Sequence, residues 1–140
     1  MSANHIIRSE NGAAVVEFAL ILPLLLTLLF GSIEFGLLLF DKAVLTNAAR
    51  EGSRFGIVSA SPRKTPQEIE AVVTNYTAAN LITFGAANDP QITVTFATQN
   101  FGDPLKVTVT YQYSFLIIDN FIPSLLSNIN LTAESSMYYE

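Results

Sequence analysis

Few side chains in this sequence are of a type that does chemistry. There is one histidine, His5, and no cysteine, which removes a histidine-based catalytic triad, a histidine-rich metal site, thiolate ligands and disulfides. Asp89, Asp103 and Asp119 stand beside turn residues (Pro90, Gly102 with Pro104, and Asn120), a placement that reads as turn formation rather than as a calcium ligand set. There is no glycine-rich phosphate loop and no carboxylate pair at a recognisable spacing. Asn75-Tyr76-Thr77 and Asn130-Leu131-Thr132 fit the glycosylation sequon, a triplet frequent by chance. The expectation is a protein that is not an enzyme and carries no cofactor and no metal. What remains is Glu17, inside "NGAAVVEFALILPLLL", and Glu34. Between Ala13 and Phe40 they are the only ionisable side chains. An acid at the centre of a membrane helix costs ~2.5–3.5 kcal/mol on insertion scales, so each needs a partner or a task.

The elements that hold these acids follow from where the charge is missing. Of 140 residues 14% are charged, against about 25% in an average soluble domain, and the deficit is confined to residues 13–40. As a helix this stretch is roughly 42 Å long, enough to cross a hydrocarbon core of about 30 Å with length to spare; the lipid bilayer is therefore one expected partner. A cleaved secretory signal would be shorter and end at small residues; Phe30-Gly31-Ser32 is a poor cut site, and the apolar run continues beyond it. The short tail "MSANHIIRSENG" favours an N-terminus left in the cytoplasm. Net charge is −5, with no run of basic residues, so no nucleic acid is expected.

Pro23 removes an amide donor inside the apolar helix and predicts a bend there. Glu34 should face protein rather than lipid, either as an assembly contact or at the outer interface; Lys42 lies about 12 Å further along the axis, too far for a simple pair. Asp41 and Lys42 mark the exit from the membrane. Beyond them Ala48, Gly52 and Gly56 recur at a spacing of four, a small-residue stripe that permits close approach of another element: this protein's own head, or another subunit. Arg50 and Arg54 share a different face, with Glu51 three before Arg54. "SASPRK" ends the helix, since Pro62 disfavours a helical Ser61. Thr65-Pro66-Gln67-Glu68 reads as the capped start of a second helix, with Ile69, Val72, Val73, Tyr76 and Ala79/Asn80 on one face and an end near Gly85. "QITVTFA" and "LKVTVTYQYSF" alternate as strands joined through Asn100-Phe101-Gly102-Asp103-Pro104, residues 119–128 form a loop, and "NLTAESSMYYE" is a last strand. The fold class is α+β: a long N-terminal transmembrane helix leading into a small head of one helix on a three-stranded antiparallel sheet.

The segment Gly12-Ala-Ala-Val-Val-Glu17-Phe18 resembles the processing site of type IV prepilins, where a membrane-embedded aspartic peptidase cuts after the glycine. The longer run "NGAAVVEFALILPLLLTLLFGSIEFGLLLFDKAVLTNAAREGSRFG" resembles the N-terminal signature of TadE-like minor pseudopilins of tight-adherence (type IVc) pilus systems, through its GAAVVEFAL start, a proline, a Phe-Gly, a Glu-Phe-Gly and "NAAREG". The resemblance implies a pilin-like layout, with a leader over residues 1–12, an N-terminal helix over 13–59 that spans the membrane to about residue 40, and a periplasmic or extracellular head over 60–140. It implies processing between Gly12 and Ala13, and a role in subunit register for Glu17 with Phe18. Freed by the cut, the Ala13 amine would be a buried cation that Glu17 can neutralise, in a class of contact whose disruption costs ~3–5 kcal/mol. The alternative leaves Glu17, about 6 Å along the axis from Ala13, reaching back to the cytoplasmic interface.

Helix packing or assembly is assigned in the same way to Pro23, Gly31, Glu34, Gly36, Ala48, Gly52 and Gly56, with Asn47, Arg50 and Glu51 as the "NAAREG" motif. The implied partners are a prepilin peptidase, other pilin or pseudopilin subunits and an inner-membrane assembly platform. The implied function is to help assemble or prime the pilus from a single-pass position in the bacterial inner membrane, with possible display on the surface pilus. The competing reading is an uncleaved single-span envelope protein whose head is a scaffold or ligand-binding module.

Overall fold

The computed structural model describes residues 8–83, 89–115 and 129–140. Helix α1 (Arg8–Ile57) is a single element of 50 residues, roughly 75 Å at about 1.5 Å per residue. It starts upstream of Ala13, where the sequence reading began the helix, and is continuous through Pro23, with the Thr27 hydroxyl donating back to the Pro23 carbonyl at 2.8 Å. It stops at Ile57, two residues before the expected end and ahead of Pro62. Helix α2 (Pro66–Asn80) follows, then strands β1 (Gln91–Phe96), β2 (Pro104–Tyr113) and β3 (Ile129–Tyr138). The fold class is the expected one, an α+β head on a long N-terminal helix.

The start of α2 is built as its sequence spells it. The Thr65 hydroxyl accepts the Glu68 amide at 3.3 Å, and the Glu68 carboxylate accepts the Thr65 amide at 2.8 Å, with Pro66 at the first helical position. The Thr65 amide, then its hydroxyl, hold the Glu68 carboxyl below its ordinary value. An acid of this kind contributes stability above its unfolded pKa of 4.5 that is lost as pH falls through the folded value. Thr65→Ala should lower head stability by about 1 kcal/mol near neutral pH, and Glu68→Gln should remove this part of the acid destabilisation; thermal melts across pH check both.

The far end of α2 departs from expectation. The helix closes at Asn80, because Leu81 is already extended while its amide still donates to the Thr77 carbonyl at 2.9 Å; Gly85 lies outside the described residues. Its inward face is Ile69, Val73 and Thr77, whereas Ala79 and Asn80 are exposed. A strict spacing of four selects Thr77, and its hydroxyl tolerates burial by donating to the Val73 and Thr74 carbonyls at 3.1 and 3.0 Å.

The strands form an antiparallel sheet in the order β1-β2-β3. Period-two alternation sends Val107, Val109 and Tyr111 of β2 and Leu131 and Ala133 of β3 inward, leaving the threonine-rich face in solvent. The β1–β2 connection turns at Gly102, whose φ of 84° is a left-handed conformation that glycine adopts without steric cost. Asp103 acts there as the expected turn former, its carboxylate accepting from the Thr98 hydroxyl and, at 3.3 Å, from the Asn100 amide. Asp119 and the loop expected at 119–128 fall outside the described residues, and the last strand begins at Ile129.

The sheet is covered by α2 and also by the C-terminal part of α1, which packs on α2, β2 and β3. The core therefore contains Leu45, Ala48 and Ala49 of the long helix, all fully buried. The packing unit of the head begins well before residue 60.

Candidate functional site

Extending the Ala48-Gly52-Gly56 spacing backwards along α1 gives Leu45, Asp41, Leu38 and Glu34, and this whole stripe faces the head. A Cβ placed on Gly52 would lie 2.4 Å from Val73 Cγ2, and one on Gly56 would lie 2.4 Å from Leu105 Cδ2 and 2.7 Å from Ile69 Cδ1. The two glycines let α1 approach the core of its own chain, the first of the two packings the sequence left open. Ser53 locks the same face, donating to the Ala49 carbonyl at 2.9 Å and to Ser135 of β3 at 3.3 Å; Lys42 reaches the Thr132 carbonyl.

Glu34 belongs to this stripe. It is 2% exposed, and its backbone carbonyl accepts the Tyr113 hydroxyl at 3.4 Å. Burial, then the charges of Glu34, Asp41 and Tyr111, push the Tyr113 phenol up to about 12. Seven residues on, Asp41 is fully buried, with Oδ1 accepting the Ile82 amide at 3.0 Å. The sequence marked Asp41 only as a membrane exit; its place on the glycine stripe was the signal that it turns inward.

The contacts at Glu34 also set the length of the free helix. Residues 12–33 make up roughly 33 Å, close to the hydrocarbon thickness of about 30 Å. The part of α1 open on all sides is thus about two turns shorter than the apolar stretch to Phe40, because the head occupies one side of α1 from Glu34 onward. The free portion is apolar and exposed: Val15, Phe18 and Leu20 are 66%, 62% and 73% exposed. Helix α1 has the length and composition to cross a membrane, and its most apolar window is not buried by the chain itself.

Gly12, Ala13, Glu17, Phe18 and Pro23 lie on this open portion. Beyond its own helix backbone, Gly12 has no atom within 4 Å of where a Cβ would stand, and among the described residues no hydrogen bond or ion pair reaches the Glu17 side chain. Gly31 is half-buried. Gly36 is exposed with nothing within 4 Å of its would-be Cβ, so it faces away from the head. The "NAAREG" motif is divided by the helical period: Ala48, Ala49 and Gly52 turn inward, while Asn47 and Arg50 are exposed. Glu51 makes a solvent-exposed contact of 3.4 Å with Arg54, of the kind worth little in stability.

Chemistry of another kind is sparse. Among the described residues no group of three or more His, Asp or Glu is placed to hold a metal ion. A cleft of about 350 Å³ beside the end of α2 is lined chiefly by Thr74, Thr77, Leu81, Thr83 and Asp89; among the described residues it has one charged side chain and no nucleophile–base pair.

The arrangement is an apolar helix open to lipid or to other helices, followed by a compact head. Residues 12–54 match the family model described as TadE-like protein. Over those residues the long helix is similar to the TadE-like family. The match covers the open apolar portion of α1 and the part that packs into the head core, and it ends at the arginine three residues before the helix does. Comparison with curated proteins and with solved structures gave no match.

Proposed function

We propose that this chain is a minor pseudopilin of a tight-adherence type IV pilus system, acting by binding rather than catalysis. It inserts with the N-terminus in the cytoplasm and the head outside, is trimmed after Gly12 by a prepilin peptidase, and helps assemble or prime a filament of other pilin subunits at the inner-membrane platform. The observation that supports this most directly is the open N-terminal portion of the TadE-like helix. Gly12 is unobstructed, and Glu17 stands in apolar surroundings with no side-chain partner among the described residues, as an intersubunit charge contact requires.

The helix runs through the Gly12–Ala13 bond, and a peptidase that takes an extended substrate must open this turn first. Glycine eases that opening, being about 1 kcal/mol less favourable than alanine in a helix interior, and it leaves the bond free of a side chain. The mature protein should begin at Ala13, and Gly12→Val should accumulate at full length in the inner membrane. N-terminal sequencing of protein from host membranes checks both. A wild-type chain that begins at Met1 or Ser2 in cells with active peptidase would leave the uncleaved single-span anchor as the better account.

A further inference from the structure

The side of α1 turned away from the head is a second long surface. Gly36, Phe40, Ala43, Asn47, Arg50 and Arg54 recur on it at spacings of three and four, opposite the stripe that runs from Glu34 to Gly56, and each is exposed. Its first part is apolar, with Phe35, Leu39 and Phe40 at 60%, 51% and 46% exposure. Its second part is polar and ends in two arginines. Taking α1 as the membrane-crossing element of the function above, we propose that acyl chains of the leaflet nearer the head cover this outer face as far as Ala43. The helix then leaves the bilayer obliquely, with the head on its upper side, and Arg50 takes a lipid phosphate at the point of exit.

The outer face is continuous with the open apolar portion over residues 12–33, and no charge interrupts it at Glu34. The head has removed each ionisable side chain that would mark an earlier exit. Glu34 and Asp41 are 2% and 0% exposed, and the Lys42 ammonium is engaged by the Thr132 carbonyl. After Glu17, the first ionisable group on the outer face is Arg50. Lipid fits the apolar part better than a second helix does. Close helix contacts in membranes favour small side chains, and here the Phe40 ring stands between Gly36 and Ala43.

Length sets the lean. Phe18 to Ala43 is roughly 39 Å of helix, against a hydrocarbon core of about 30 Å. A lean of roughly 40° reconciles the two, at the upper end of the range for membrane helices. On a helix about 10 Å across, this lean brings Ala43 on the lower side to within roughly 4 Å of the depth of Glu34 on the upper side. Lipid therefore reaches Ala43 without immersing the head. Arg50 lies about 10 Å beyond Ala43 along the axis, at the level of the headgroups, a layer of roughly 5–8 Å outside the core. It is exposed and makes no ion pair among the described residues, and a guanidinium binds phosphate through paired N–H donors. Arg54, one turn further, is already engaged by Glu51.

The chain has no cysteine, so Leu25→Cys, Ala43→Cys and Thr132→Cys each place one spin label in the full chain, reconstituted at one copy per lipid nanodisc. Collisions with oxygen report lipid, and collisions with a water-soluble nickel chelate report solvent. Thr132 is exposed on β3, and its carbonyl is held by Lys42, so its label samples the head at the height of Ala43. Oxygen should dominate at Leu25 and Ala43 and the chelate at Thr132, with an oxygen-to-chelate ratio several-fold higher at Ala43 than at Thr132. Chelate dominance at Ala43 with Leu25 still in lipid overturns the oblique exit and leaves the membrane crossing intact; chelate dominance at Leu25 as well overturns both. Oxygen dominance at Thr132 means that the head is immersed, and shielding of Ala43 from both reagents means that protein covers the face; either result overturns the proposal. For Arg50, dephasing of arginine guanidinium 13C signals by lipid 31P should be weaker in Arg50→Gln than in wild type, and equal dephasing overturns the phosphate contact.

Discussion

Replacing Gly52 with valine should leave the long helix in the membrane and the head unable to close around it. A single Cβ at this position already falls 2.4 Å from Val73 Cγ2, with Ile69 Cγ2 and Val107 Cγ1 at 3.6 Å behind it. Val73 is fully buried and, as a β-branched residue in a helix, is held to one strongly preferred rotamer, so it cannot swing aside. Overpacking a core typically costs about 1–3 kcal/mol, and that is the loss expected for Gly52→Ala. Valine adds two more carbons in a site with no free volume. The sum approaches the whole stability of a small domain, about 5–15 kcal/mol. Gly36→Val is the matched comparison, because nothing lies within 4 Å of its would-be Cβ. Thermal unfolding in detergent and trypsin sensitivity at Arg63 and Lys64 report the outcome. A Gly52→Val head as stable and protease-resistant as wild type would show that the stripe does not pack on its own chain.

The second large effect concerns Glu17. Under the proposed processing, Glu17→Gln should be inserted and trimmed normally but should associate poorly with other pilin subunits, because the scissile bond is remote from the carboxylate while pairing with a neighbour's Ala13 amine depends on it. Glutamine keeps the size and much of the hydrogen bonding, but it leaves a buried ammonium without its counter-charge, a loss of up to ~3–5 kcal/mol. The obvious comparison, Glu34→Gln, is unsuitable. Glu34 is buried against the head beside Tyr113, so its replacement alters the fold as well as any assembly contact. Glu51→Gln, which removes only an exposed contact with Arg54, is the better one. Crosslinking of host membranes followed by blotting for pilin-containing species measures the difference. Wild-type crosslinks in Glu17→Gln would mean that the carboxylate only reaches back to the cytoplasmic interface.

The free helix and the head differ in how they could be read. Residues 13–33 are legible because lipid imposes a one-dimensional rule: a long uncharged run must be helical to satisfy its backbone, and a carboxylate in that run stands out. The strands and the cap of α2 are legible for a similar reason, since alternation and the Thr65–Glu68 box are local patterns with local hydrogen bonds. Thr77 was missed because a threonine counts as polar in a hydropathy pattern, and only the Val73 and Thr74 carbonyls make it fit for burial.

Sequence by itself determined the order of the elements, their types, the open apolar helix and the isolated acid at Glu17, all of which depend on residues within a few turns of one another. Tertiary structure decided which side of α1 meets the head. It thereby turned Gly52 and Gly56 into points of close approach, set Glu34 against Tyr113 of the head, shortened the free helix to about the thickness of a bilayer, and buried Asp41 on the Ile82 amide. Those outcomes depend on contacts between residues far apart in the chain. A helix offers several faces of similar composition, and only the volume and hydrogen-bonding groups of the sheet and α2 select among them.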